Sequence, residues 1–250
     1  MGRVSKKPKI VDLFSGCGGF GLGAELGGFE AVVAVDLDPN LQSAYGLNFP
    51  TTKVVNGDVS KLDRSSWKNF LDKNIIDGVI GGPPCQGFSR IGKKAPNDPR
   101  NSLIGHFYRH VKLLKPKFFV MENVVGILDE ASRSHLDAAL DEVPGRYNVL
   151  PPIIVNAVDH GAPTNRRRVV VVGYDPADFC RVSALEIARA SVSNRVTVRD
   201  AIADLPGPVT DAKNPRDFGW SEYPRNGQQT GSYVTRMRAM PTHLGWAEAI

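Results

Sequence analysis

Short apolar runs of strand length alternate with stretches of helical spacing through the first 175 residues of the chain. Runs at 10–14, 31–35, 76–80, 118–121, 153–155 and 169–172 read as strands, with a shorter one at 54–55. The segments 20–26, 41–47, 65–71, 102–114 and 132–140 carry apolar residues at helical intervals. Strands that are apolar along their whole length, with no alternation, are buried on both faces. The rhythm therefore predicts an α/β fold, a doubly wound and mostly parallel sheet with helices on both sides. Ligands of such sheets bind at the carboxyl ends of the strands, near the point where strand order reverses. Every unusual loop of this sequence leaves a strand at that end, so the loops should converge on one crevice.

At 250 residues and 42% hydrophobic, the chain can bury one such domain. Its formal charge of +5 is compatible with a polyanionic partner without demanding one. Cys17, Cys85 and Cys180 are too few and too scattered for a disulfide framework or a zinc site, and no metal is expected. No apolar run approaches the roughly 20 residues of a membrane span, and the basic "MGRVSKKPKI" lacks the apolar centre of a signal peptide. A cytoplasmic protein with no membrane partner is the expectation. From about residue 197 the character changes: "TVRDAIADLPGP" reads as a short helix with a proline stop, and 211–250 is rich in Gly, Pro, Asn and Gln with weak periodicity. The expected division is a main domain over 1–196 and the start of a further region over 197–250.

"IVDLFSGCGGFGLG" satisfies the dinucleotide pattern G-x-G-x-x-G from Gly16 to Gly21. Such a loop either lets a ligand approach the backbone closely or is an ordinary tight turn packed on the sheet. Asp36 and Asp38 follow the second strand, where a carboxylate can accept from ribose hydroxyls of NAD, a flavin dinucleotide or S-adenosylmethionine. Asp58, after the third strand, could accept from an adenine amine. Each aspartate could instead cap a helix or a turn. "GGPPCQGFSR" is more specific. Two prolines hold Cys85 in a stiff, extended turn at a strand end, while Gly81, Gly82 and Gly87 admit a flat ligand. A thiol presented in that way reads as a nucleophile, not as core packing. "FFVMENV" sets Glu122 just past another buried strand, where a carboxyl could donate a proton to a bound base. "APTNRRRVVVVG" places three arginines before a strand, and alternation would send Arg166 and Arg168 to one side and Arg167 to the other.

Taken in order and spacing, "DLFSGCGGFGLG", "VDLDP", "NGDV", "GGPPCQGFS", "MENV" and "RRRVVVVG" resemble the DNA cytosine-5 methyltransferase family over roughly residues 9–175. The resemblance implies a Rossmann-like S-adenosylmethionine-dependent fold and transfer of a methyl group to C5 of cytosine in double-stranded DNA. Cys85 would add to C6, Glu122 would engage N3 and the exocyclic amine, and Arg166 and Arg168 would contact O2 or the nearby backbone. The cofactor would lie against Phe14, Gly16 and Gly18, with Asp36 on the ribose, Leu37, Asp58 and Val59 at the adenine, and Pro84 and Leu103 lining the rest. The base would be flipped out of the duplex. Ser89, Lys93, Lys94 and Arg100, in the polar segment after Cys85, would meet the DNA backbone. The chain departs from the family pattern at Leu37, where tryptophan is common, and at Thr164, where glutamine is usual.

The resemblance also implies closing segments after the target-recognition region, and 197–250 has no counterpart of them. The expectation is a restriction-modification enzyme needing a further C-terminal portion or a second polypeptide. The competing expectations are an inactive remnant that binds cofactor or DNA without turnover, and a related enzyme acting on transfer RNA. A nicotinamide or flavin enzyme would leave Pro83, Pro84, Cys85 and Glu122 unexplained.

Overall fold

A computed structural model describes residues 6–84, 103–190, 195–205 and 233–235. Its strands are β1 (Lys9–Leu13), β2 (Glu30–Asp36), β3 (Lys53–Asn56), β4 (Gly78–Gly81), β5 (Phe118–Val124), β6 (Asn148–Val149), β7 (Ile153–Asn156) and β8 (Arg167–Tyr174). They form one sheet in the order β3-β2-β1-β4-β5-β8-β6, with β7 also paired to β8. The pairs β3–β2, β2–β1, β1–β4 and β4–β5 are parallel, as the apolar runs predict. β8 lies antiparallel to β5, and β6 antiparallel to β8. Strand order reverses between β1 and β4, so the crevice of the sheet opens above their carboxyl ends.

Strand alternation distributes the core to two faces. Val11, Leu13, Val33, Val35, Phe119 and Met121 point one way, into a cluster with Trp67 of α3 (Arg64–Leu71), Ile104, Phe107, Tyr108 and Val111 of α4 (Leu103–Leu114), and Leu136 of α5 (Glu130–Asp141). On the opposite side Ile10, Ala31 and Ile80 meet Phe20 and Ala24 of α1 (Gly19–Leu26), and Ala34 meets Tyr45 of α2 (Pro39–Asn48). Ile104, Phe107, Tyr108 and Val111 recur at helical spacing, and each is fully buried. Burial of side chains of this size stabilises the fold by about 1.5–3 kcal/mol apiece.

Capping residues set where the helices begin. Asp38 accepts from the N–H groups of Asn40 and Leu41, with Pro39 pre-set in helical φ at the first position of α2. Asp63 and Ser66 form a reciprocal capping box at α3. α4 begins at Leu103 among the described residues, and β5 continues through Glu122 to Val124. β8 is longer than the valine run, and β6 and the short α6 (Ala184–Arg189) are elements the sequence reading did not anticipate.

The chain divides into two compact units. The first, among the described residues, holds 6–84, 103–155 and 167–189, and contains all the strands apart from the end of β7. The second holds 156–166 with 190, 195–205 and 233–235. In it, Arg195 pairs with Asp159 at 3.2 Å, and α7 (Val198–Ile202) starts from a capping box between Thr197 and Asp200. No helix among the described residues is long and apolar enough to cross a membrane.

Candidate active site

β1 ends at Leu13, and the next residue turns the chain sharply. Phe14 adopts φ 56° and Gly16 φ 55°, in the left-handed region that is costly for a side chain such as that of Phe14. Ser15 N–H donates to Val35 O at 3.1 Å, which holds the turn against the end of β2. Gly18, at φ 101°, caps α1, and a Cβ there would run into the Phe49 ring. Packing therefore requires that glycine, whereas the corresponding space at Gly16 is open. Cys17 is exposed.

The two aspartates at the end of β2 and just past it have different roles. Asp36 accepts from Gly16 N–H through Oδ2 at 2.9 Å and from Asp38 N–H through Oδ1 at 3.0 Å. It thus ties the glycine loop to the entrance of α2, while Asp38 is the helix cap. Asp58 Oδ1 accepts from the N–H and the hydroxyl of Ser60 at 2.9 and 2.7 Å, and Oδ2 faces Lys61 at 3.7 Å. The Ser60 hydroxyl is the main cause holding the Asp58 carboxyl below the usual carboxylate range. Its second oxygen keeps lone pairs for a ligand donor beside this long ion pair with Lys61.

A cleft of about 620 Å³ lies between these strand ends. Eight residues singled out from the sequence line it: Phe14, Asp36, Leu37, Asp58, Val59, Gly82, Pro84 and Leu103. Gly16 and Gly18 do not, although Gly16 is bonded to Asp36. Leu41, Gly57, Ser60 and His106 also line it and were not foreseen. His106 lies three residues after Leu103 on α4, so helical spacing from that residue could have found it. Burial, and then the charge of Arg109, lower the pKa of His106. Leu37 is 68% exposed, giving the rim an aliphatic surface. The volume is that of a small-molecule site. Two carboxylates on neighbouring strand ends, with apolar walls between them, suit a nucleoside bearing ribose hydroxyls and an amino purine.

The second group of residues gathers at the ends of β4 and β5. Arg168 Nε forms an ion pair with Glu122 Oε1 at 2.7 Å across the antiparallel β5–β8 pair. A Cβ on Gly82 would come within 3.3 Å of Glu122 Oε2, so the glycine lets the chain pass close over the carboxylate. Buried Asn123 donates through Nδ2 to Pro83 O at 3.1 Å and accepts from Val124 N–H at 2.8 Å. The segment leading to Cys85 is thereby fastened to the strand end that carries Glu122. Arg166 precedes β8, is exposed, and belongs to the second unit, where its carbonyl accepts from Ala157 N–H at 2.9 Å. Cys85, Ser89, Lys93, Lys94 and Arg100 lie outside the described residues. Among the described residues no group of three or more His, Cys, Asp or Glu is placed to hold a metal ion.

Residues 8–243 match the family model of C-5 cytosine-specific DNA methylase. The chain is 38% identical over 201 residues to the type II methyltransferase M.DdeI of Desulfomicrobium norvegicum, covering 79% of this chain and 48% of that protein. It is 40% identical over 204 residues to the type II methyltransferase M.XorII of Xanthomonas oryzae pv. oryzae, covering 80% and 47%. The chain thus spans about half the length of these curated relatives. Among solved structures, it superposes with a TM-score of 0.73 at 40% identity on an E. coli prophage-encoded protein assigned as a DNA modification methyltransferase, covering 82% of this chain and 57% of that one.

Proposed function

Because the chain belongs to the C-5 cytosine-specific DNA methylase family, whose members use S-adenosylmethionine, we propose that it is the catalytic portion of a DNA cytosine-5 methyltransferase of restriction-modification type. The observation that carries this reading is the convergence of two residue sets on one sheet edge. The Asp36–Asp58 cleft lies beside the Glu122–Arg168 pair, and Gly82 to Pro84 run between them.

S-adenosylmethionine supplies an electrophilic methyl group when bound. Asp36 would accept from its ribose hydroxyls through lone pairs not used by Gly16 and Asp38, and Asp58 Oδ2 would accept from the adenine amine. Phe14, Leu37, Pro84 and Leu103 would cover the apolar faces and exclude water.

C5 of cytosine is a weak nucleophile until C6 is attacked. The Cys85 thiolate would form the C6–S bond, and the displaced electron pair makes C5 an enamine carbon. Glu122, in its protonated form, would donate to N3 and accept from the exocyclic amine, stabilising the charge that develops on the ring. Arg168 fixes the Glu122 carboxylate through Oε1, leaving Oε2 to face the base. Once C5 carries the methyl group, a base removes the C5 proton, the C6–S bond breaks and the thiolate returns. This requires a flipped cytosine. Ser89, Lys93, Lys94 and Arg100 would hold its phosphates, making binding salt-dependent.

M.DdeI and M.XorII carry about as much chain again outside the aligned portion. We assign target-sequence reading to such additional segments, in the same polypeptide or in a second one.

Incubating the complete protein with S-adenosylmethionine and duplex DNA containing 5-fluorocytosine tests the mechanism, because fluorine cannot leave as a proton does. A covalent complex surviving denaturing electrophoresis is expected from the wild type and not from Cys85→Ala. An adduct formed by the variant would overturn the assignment of Cys85. So would none from a wild type that binds both DNA and cofactor.

A further inference from the structure

The turn that carries Asp58 and Val59 is held from behind by two consecutive residues of α4. Arg109 donates through Nη1 to Leu62 O at 2.9 Å, and through Nη2 to Val59 O at 3.0 Å and Ser60 O at 2.9 Å. One guanidinium therefore collects three carbonyls of a single turn. His110 Nε2 lies 2.8 Å from Val59 O, and Trp67 Nε1 lies 2.9 Å from His110 Nδ1. Indole N–H can only donate, so Nδ1 accepts and the ring proton sits on Nε2, donating to Val59 O. Burial drives the His110 pKa down to about 4, so the ring stays neutral and this arrangement holds across the working range of pH.

Arg109, His110 and Trp67 do not line the cleft, yet they determine what does. With the carbonyls of Val59, Ser60 and Leu62 drawn toward α4, the side chain of Asp58 is left on the cleft side, locked by Ser60. Leu103 and His106, also on the cleft, belong to the same helix as Arg109 and His110. Both walls of the adenine end are thus one rigid piece, and the position of the turn on α4 sets the distance between them.

We propose that Arg109 and His110 are positioning residues that give the adenine end of the cleft its selectivity for a 6-amino purine. This rests on the reading of the cleft as an S-adenosylmethionine site. A planar guanidinium fork reaches three carbonyls at fixed geometry, which a lysine ammonium on a flexible stem cannot reproduce. Charged hydrogen bonds of this kind are among the stronger ones, so their loss should be visible in binding.

Calorimetric titration of the protein with S-adenosylhomocysteine and with its 6-oxo purine counterpart tests the proposal. The wild type is expected to prefer the amine, which donates to Asp58. In Arg109→Ala, affinity for S-adenosylhomocysteine should fall roughly ten-fold or more, and the preference should shrink toward unity. Arg109→Lys keeps the charge and should fold like the wild type while still losing most of the preference, so it decides the matter if the alanine variant does not fold. Val111→Ala, a core truncation in the same helix, should lower Tm without moving the preference.

An unchanged preference in Arg109→Lys would overturn the proposal, as would equal erosion in Val111→Ala. A wild type that binds neither compound would remove the cofactor reading itself, and this inference with it.

Discussion

Asn123 donates to the carbonyl of Pro83 at 3.1 Å, and this one bond joins the strand end bearing Glu122 to the segment leading into Cys85. It costs Asn123 little, since its side-chain oxygen is already engaged by Val124 N–H. Asn123→Ala should leave cofactor affinity unchanged, because Asn123 does not line that cleft. The rate of methyl transfer should fall by roughly 10- to 100-fold through misplacement of the two reacting groups. Single-turnover methylation beside a cofactor titration separates the two effects. A parallel loss in both would refute a positional role.

Arg168 and Glu122 offer a second test. Arg168→Met keeps much of the side chain's bulk and removes the ion pair with Oε1. Without its ion-pair partner the Glu122 carboxylate can leave its productive position, so transfer should slow by roughly 10- to 100-fold. Cofactor binding should again hold. Single-turnover rates at saturating DNA are the measurement, and a wild-type rate would remove Arg168 from the reaction.

Asp36 binds two backbone N–H groups at once. Asp36→Ala should weaken cofactor binding and also speed amide hydrogen exchange at Gly16 and Asp38, even with no cofactor present. Exchange unchanged at both amides would mean that the glycine loop keeps its form without the carboxylate.

Asp12 makes stability depend on pH. It is fully buried in β1, with Oδ2 3.4 Å from the Tyr45 hydroxyl and Oδ1 unpartnered. Burial above all, and also the charge of Asp36, raises its pKa to about 8, against opposing hydrogen bonds from Tyr45 and Gly21. An unfolded aspartate titrates near 3.9, so across this window the folded chain keeps a proton that the unfolded chain releases. Its contribution is fully present below about pH 4 and declines by at most about 1.4 kcal/mol per unit as pH rises toward 8. Asp12→Asn removes the slope. Thermal unfolding at several pH values should show its Tm rising relative to wild type from about pH 5 to about pH 8. A constant difference would contradict the assignment.

The central strands were legible because parallel strands buried on both sides need unbroken apolar runs, as "EAVVAVD" in β2 shows. The direction of β8 was not, since a run of valines reads the same either way. The residues alone did not separate Asp36 from Asp38, and only the resemblance assigned the ribose to Asp36. Only the turn after β2 makes one a staple of the glycine loop and the other a helix cap. Alternation put Arg166 and Arg168 on one side, but β8 begins at Arg167, so Arg166 stands outside the strand. Arg109 and His110 looked like ordinary residues of an amphipathic helix. Their role depends on where the turn 58–62 lies in space, which no local pattern encodes.

The antiparallel pairing of β5 with β8 extends over seven residue pairs, from Phe118–Tyr174 to Val124–Arg168. Gly145 is exposed in the chain between α5 and β6, so a cut there should leave two pieces with long matching edges. The earlier piece keeps β1 to β5 and Glu122, and the later one brings β8 and Arg168. Tyr147 of the second would dock its hydroxyl on Pro116 O of the first at 2.7 Å. Such halves would be expected to zip together when mixed, and because each carries one member of the Glu122–Arg168 pair, methylation would itself report their reunion.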